Sequence, residues 1–193
     1  MYPQEFWGCA DIAILPPASP TTDPCTDQDQ SGCMVVIGYY ASWAHHRPAP
    51  YGFDIEDIDA RQYTHLAYAF GAISSSYDAV AGQPEDEDGT RYLRFHEHVR
   101  AQNPAVKTLL SVGGYSFNTN PSTMYRFGTM VAQSQRRQRF IASLMTFLRE
   151  HGFDGVDIDW EVCHHALHCV SETKSIPFST NQHQACSAFV CVV

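Results

Sequence analysis

The stretch Phe153-Asp154-Gly155-Val156-Asp157-Ile158-Asp159-Trp160-Glu161 alternates acidic and apolar side chains over its last six residues. A period of two belongs to a strand, where side chains at i, i+2 and i+4 share a face. Asp157, Asp159 and Glu161 therefore project to one side, roughly 7 Å between neighbours. Val156, Ile158 and Trp160 project to the other side and argue against an edge strand bathed in water. Three acids in a row inside an apolar sheet are costly, because burial and mutual repulsion both oppose ionisation. Such coupling drives pKa values apart, leaving one acid protonated near neutrality beside one that is ionised. General acid catalysis requires that state. A calcium site would use the same residue types. Asp154 has the wrong parity for the row and reads as structural.

Three more apolar runs have strand character, at residues 34–42, 64–73 and 106–113, with 155–160 as the fourth. Two helices are expected between them. Residues 90–102 place Tyr92, Leu93, Phe95 and Val99 inward and stop before Pro104. Residues 133–151 place Phe140, Ile141, Leu144, Phe147 and Leu148 on one face, with Gly152 as the C-terminal stop. Strand, helix and strand at this spacing imply an α/β fold of parallel strands with right-handed crossovers.

The flanks differ in composition. Residues 1–33 are rich in Pro, Thr, Asp and Gln and hold Cys9, Cys25 and Cys33, as in a leader or the remnant of a small module. Residues 162–193 have no Gly, four of the seven Cys and four of the ten His, and read as a tail of no clear fold. Translation past an exon boundary would produce such a loss of pattern. Cys163-His164-His165-Ala166-Leu167-His168-Cys169 carries zinc-ligand types, but its spacing fits no standard finger, and no metal is expected.

The whole chain has 193 residues, which suits one domain with appended tails. Hydrophobic residues at 44% allow a buried core. The net charge of −9 disfavours nucleic acid as a partner, since nothing would displace counterions from its phosphates. No apolar run reaches membrane-spanning length, so no membrane partner is expected. Asp54, Glu56, Asp57 and Asp59, and Glu85, Asp86, Glu87 and Asp88, read as solvated faces. His45, His46, His96 and His98 read as surface residues, and Trp43 and Tyr68 fit either core or substrate contact. Cys-rich ends around a Cys-free centre point to secretion. Met1-Tyr2-Pro3-Gln4-Glu5 has neither a basic start nor an apolar run, so no signal peptide is read there.

Asp154-Gly155-Val156-Asp157-Ile158-Asp159-Trp160-Glu161 resembles the DxxDxDxE signature of the family 18 glycoside hydrolases, the chitinase family. Val36-Ile37-Gly38-Tyr39-Tyr40-Ala41-Ser42-Trp43 resembles that family's first strand. Tyr63-Thr64-His65-Leu66-Ala67-Tyr68-Ala69-Phe70 resembles its second. Leu110-Ser111-Val112-Gly113-Gly114-Tyr115-Ser116-Phe117 resembles its third, with the SxGG motif. The likeness covers residues 35–161, and four ordered motifs are together specific.

The resemblance implies a (β/α)8 TIM barrel with its active site at the C-terminal strand ends. A whole barrel needs about 250 residues, so the expected fold is one truncated after its fourth strand. The implied function is retaining, substrate-assisted hydrolysis of β-1,4-linked N-acetylglucosamine polymers, without a cofactor. Carried over, Glu161 is the general acid and then the base. Asp159 holds the acetamido N–H, and Asp157 shares a proton with Asp159. Tyr39 and Ser111 hydrogen-bond to Asp157 from neighbouring strands, and Phe70 lines the sugar subsite. Gly113 and Gly114 allow close approach beside the sugar. Tyr115 stands where many members have Trp and keeps an aromatic surface. Val162-Cys163 stands where the family has Tyr-Pro, and the later Met-x-Tyr segment has no counterpart. The implied partners are chitin or chitooligosaccharides, and the implied location is extracellular. The alternatives are a non-catalytic chitin-binding lectin and an inactive truncated product. Half a barrel would have two unpaired sheet edges, through which self-association is expected.

Overall fold

A computed structural model describes residues 35–161 and, as backbone alone, the segment Phe189–Val192. The four expected strands form as β1 (Ile37–Ala41), β2 (His65–Ile73), β4 (Lys107–Gly113) and β5 (Gly155–Asp159). They lie side by side in that order, all parallel. A short strand, β3 (Ala79–Ala81), folds back antiparallel on the end of β2. The two long helices are α1 (Thr90–Gln102) and α4 (Ser134–His151). Gly152 caps α4 with φ +79°, a left-handed conformation that suits glycine. Two short helices that the sequence reading lacks, α2 (Tyr115–Thr119) and α3 (Arg126–Val131), fill the connection from β4 to α4. The result is part of an α/β barrel.

The core lies between the sheet and its helices. Tyr40, Leu66, Tyr68, Leu110, Val112 and Val156 project from the sheet onto Tyr92, Phe95, Val99, Phe140, Leu144 and Leu148. Full burial of such a side chain stabilises by roughly 1.5–3 kcal/mol. Tyr68 is core: its ring meets Tyr92 and Phe95 edge-on at 4.9 and 5.3 Å.

Leu93 and Ile141 depart from expectation, being exposed at 59% and 57%. Each follows an inward residue by one step, about 100° round the helix, which carries it off the buried stripe. His96 takes the inward place instead. It is buried, with Nε2 2.8 Å from the His151 carbonyl and its ring 4.7 Å from that of Phe153. Burial first, then the nearby Arg100 charge, pull its pKa down from 6.5 to about 4.

The two acidic runs are not simply solvated faces either. Asp86 is fully buried and accepts a 2.6 Å hydrogen bond from the Tyr68 hydroxyl, with Arg91 Nε 3.6 Å away. Asp54 accepts from Tyr40, Arg91 and Arg94 at 3.0, 2.9 and 3.0 Å. These pairs pin the connection after β1 to α1. Glu56, Asp57, Glu87 and Asp88 do face solvent.

Within the tail, Phe189–Val192 forms β6, antiparallel to β5. One of the two sheet edges expected to be free therefore carries a strand, because β5 offers unpaired backbone donors and acceptors there. The leader, its cysteines and the Cys163–Cys169 cluster lie outside the described residues.

Candidate active site

Parallel register sets the site. Ala41, Ala69, Ser111 and Asp157 stand in one row across β1, β2, β4 and β5. The row lies on the sheet face opposite the helices, near the C-terminal strand ends. Ser111 Oγ donates to Asp157 Oδ2 at 2.6 Å. Asp157 is fully buried, and that burial raises its pKa, against the lowering effect of Ser111 and Tyr39.

Tyr39 is on β1, separated from β5 by both β2 and β4 rather than next to it. Its phenol nonetheless lies near Asp157. Burial and the Asp157 carboxylate push its phenol above the ordinary range, so the hydroxyl stays protonated. The approach falls outside normal hydrogen-bond geometry, and Asp157 Oδ1 has no such partner among the described residues.

Strand β5 ends at Asp159, so Glu161 follows the strand rather than ending it. The carboxyls of Asp159 and Glu161 still face each other closely enough for one to hydrogen-bond to the other when protonated. Burial, then the Glu161 and Asp157 charges, push Asp159 from 3.8 up to about 7. Burial also raises Glu161. The pair can thus hold a proton near neutrality and pass it to a group bound between them.

The SxGG turn braces this pair from below. Gly114 N–H donates to the Asp159 carbonyl at 2.9 Å. Gly113 has φ +117°, and a Cβ there would lie 2.3 Å from that carbonyl. Gly114 has φ +80°, and a Cβ would lie 2.5 Å from the Phe70 ring. The crowding that demands glycine therefore comes from the protein itself. Phe70 stacks on Trp43 at 5.7 Å, which makes the two rings one aromatic wall. Tyr115 opens α2 and is half-exposed.

Sequence reasoning missed Asn118. It is buried on α2, and its Nδ2 donates to Gly114 O at 2.8 Å and Asp159 O at 3.0 Å. In Phe117-Asn118-Thr119-Asn120 an asparagine reads as a turn residue, so nothing in the sequence marked it. Asp154 is structural: it accepts from Thr108 N and Oγ1 at 2.8 and 2.9 Å and from Arg100 at 3.1 Å. Burial opposes its ionisation, but these bonds outweigh it and leave its pKa lowered. Among the described residues, three metal-ligating side chains converge at His45, His46 and Glu85, a group that includes none of the acid row.

Known proteins resemble this chain. The family model for glycosyl hydrolases family 18 matches residues 35–184. The oviduct-specific glycoprotein of Mesocricetus auratus is 41% identical over 123 residues, which cover 64% of this chain and 17% of that protein. The crystal structure of a Group IV chitinase from Ostrinia furnacalis superposes with a TM-score of 0.59 at 36% identity, covering 65% of this chain and 33% of that one. Human YKL-39, described as a pseudo-chitinase with retained chitooligosaccharide binding, superposes with a TM-score of 0.56 at 32% identity, covering 66% of this chain and 33% of that one. The chain therefore spans a third or less of the length of these relatives. On the strength of its matched residues and its parallel half-sheet, the chain belongs to glycosyl hydrolases family 18.

Proposed function

We propose that the protein is a chitinase of the retaining, substrate-assisted type, cleaving β-1,4-linked N-acetylglucosamine polymers. The paired carboxyls of Asp159 and Glu161, both with raised pKa, carry this reading. Protonated Glu161 gives its proton to the glycosidic oxygen as the bond to the anomeric carbon breaks. The substrate's own N-acetyl oxygen forms the new bond to that carbon and generates an oxazolinium ion. Asp159 accepts a hydrogen bond from the acetamido N–H and stabilises the developing positive charge. Asp157, held by Ser111, keeps Asp159 in place through a shared proton. Water then attacks the anomeric carbon, losing its proton to Glu161, and the N-acetyl oxygen returns to the substituent. Tyr39, Phe70, Gly113, Gly114 and Tyr115 bind the sugar around this centre. No cofactor takes part.

A second reading is chitooligosaccharide binding without cleavage, favoured by the likeness to YKL-39. Release of chromophore from a chromogenic chitobioside separates the two. The enzyme reading expects turnover that falls by about 10²–10⁴-fold in Glu161→Gln. Chitooligosaccharide binding with no release, in a protein that retains Glu161, would leave the binding reading standing.

A further inference from the structure

We propose that His45, His46 and Glu85 form a zinc site on the C-terminal side of the sheet. His45 and His46 lie in the 3-10 turn that follows β1, and Glu85 lies in the 3-10 turn that leads into α1. His46 Nε2 is 2.7 Å from Glu85 Oε1, and His45 Nε2 is 3.8 Å from the same oxygen. All three ligand atoms lie within 4.8 Å of one another. A tetrahedral zinc with bonds near 2.0–2.1 Å separates its ligand atoms by about 3.3 Å. The two measured distances bracket that value, so small side-chain rotations admit the ion.

The surroundings suit a ligand set. His45 Nδ1 lies 2.5 Å from the Ser42 carbonyl, so the proton belongs on Nδ1 and the Nε2 lone pair faces Glu85. Metal-binding histidines are oriented in this way, by a hydrogen bond from the second ring nitrogen. Arg91 Nη2 stands 3.3 Å from His45 Nδ1, at the end of the ring away from Glu85. Its charge is already met by Asp54 at 2.9 Å and Asp86 at 3.6 Å.

Two imidazoles and one carboxylate suit a borderline ion such as zinc, with water in the fourth position, and suit calcium or magnesium poorly. Bound zinc would clamp the turn after β1 to the start of α1. Trp43 lies in that same turn, so the clamp would also steady the aromatic wall it forms with Phe70. The inference is independent of whether the protein cleaves chitin.

Calorimetric titration of the chelator-treated chain with zinc chloride tests it, beside cobalt(II) absorption. The sequence also holds Cys163, His164, His165, His168 and Cys169, which could take zinc by themselves. That competitor is removed in a cysteine variant that carries Cys163→Ser and Cys169→Ser together with His164→Gln, His165→Gln and His168→Gln. The expected result is zinc uptake that persists in the cysteine variant. It should weaken by about tenfold to a hundredfold or more in Glu85→Gln and His46→Gln. In the cysteine variant, cobalt should give ligand-field bands without thiolate charge transfer. Circular dichroism shows whether each variant keeps its fold, and the cobalt spectrum needs neither Glu85 nor His46 altered. No zinc uptake by the cysteine variant, or uptake indifferent to Glu85→Gln and His46→Gln, would overturn the proposal.

Discussion

Ser111 and Asp157 stand opposite each other in the ladder between β4 and β5, and the serine hydroxyl donates to Asp157 Oδ2 at 2.6 Å. The parallel register alone brings them together, across 46 residues of chain. Asp157 is buried and its other oxygen has no partner among the described residues, so this bond has a large share in keeping the carboxylate in the sheet.

Ser111→Ala should therefore destabilise the chain by about 1–3 kcal/mol, the usual cost of stranding a buried acceptor. The loss should be larger at pH 8 than at pH 4, because a protonated Asp157 needs the donor less. Urea unfolding at the two pH values checks both statements. Equal losses would mean that Asp157 has the same protonation state at both.

Asp159 holds a proton in the fold that the unfolded chain releases, since its pKa rises from 3.8 to about 7. The resulting stabilisation is complete below 3.8 and is lost as pH rises through about 7. Wild type minus Asp159→Asn, in unfolding free energy, should fall across that window and be flat outside it. A flat difference throughout would place Asp159 at its ordinary pKa.

His96 works in the opposite sense. Its pKa falls from 6.5 to about 4, so its stabilisation is present above 6.5 and is lost as pH falls through about 4. Wild type minus His96→Gln should rise with pH across that window. Thermal melts of the two chains at matched pH give the measurement.

Asn118→Ala removes two hydrogen bonds, to Gly114 O and Asp159 O, and with them an amide oxygen that has no partner among the described residues. Two bonds at about 0.5–1.5 kcal/mol each, less the relief of that oxygen, give an expected loss of about 1–2 kcal/mol. If Asp159 and Glu161 act together on substrate, kcat should fall while KM holds, since the variant loosens their placement and touches no sugar. A change in KM alone would make Asn118 a binding residue instead.

Much of the fold is legible along the chain because its signals are local. Alternation over residues 156–161 marks a strand, and β5 forms over Gly155–Asp159, two residues short of Glu161. The apolar stripes of α1 and α4 have the right period, with Leu93 and Ile141 misjudged by one step each. The short α2 and α3 have no stripe long enough to be seen. Their packing around Phe127 and Trp160, whose rings stack at 5.4 Å, is a property of the assembled sheet.

The sequence by itself determined the four parallel strands of the half-barrel, its two long helices and the spacing of its three acids, since period and motif need only neighbours along the chain. Only the tertiary structure decided that Asp86 and His96 are buried, that Tyr39 faces Asp157 across two intervening strands and that Asn118 braces Asp159. It alone set His45 and His46 against Glu85, and β6 against β5. Each of these joins residues tens of positions apart, and a crossover must close before burial, charge and hydrogen bonding can act between them.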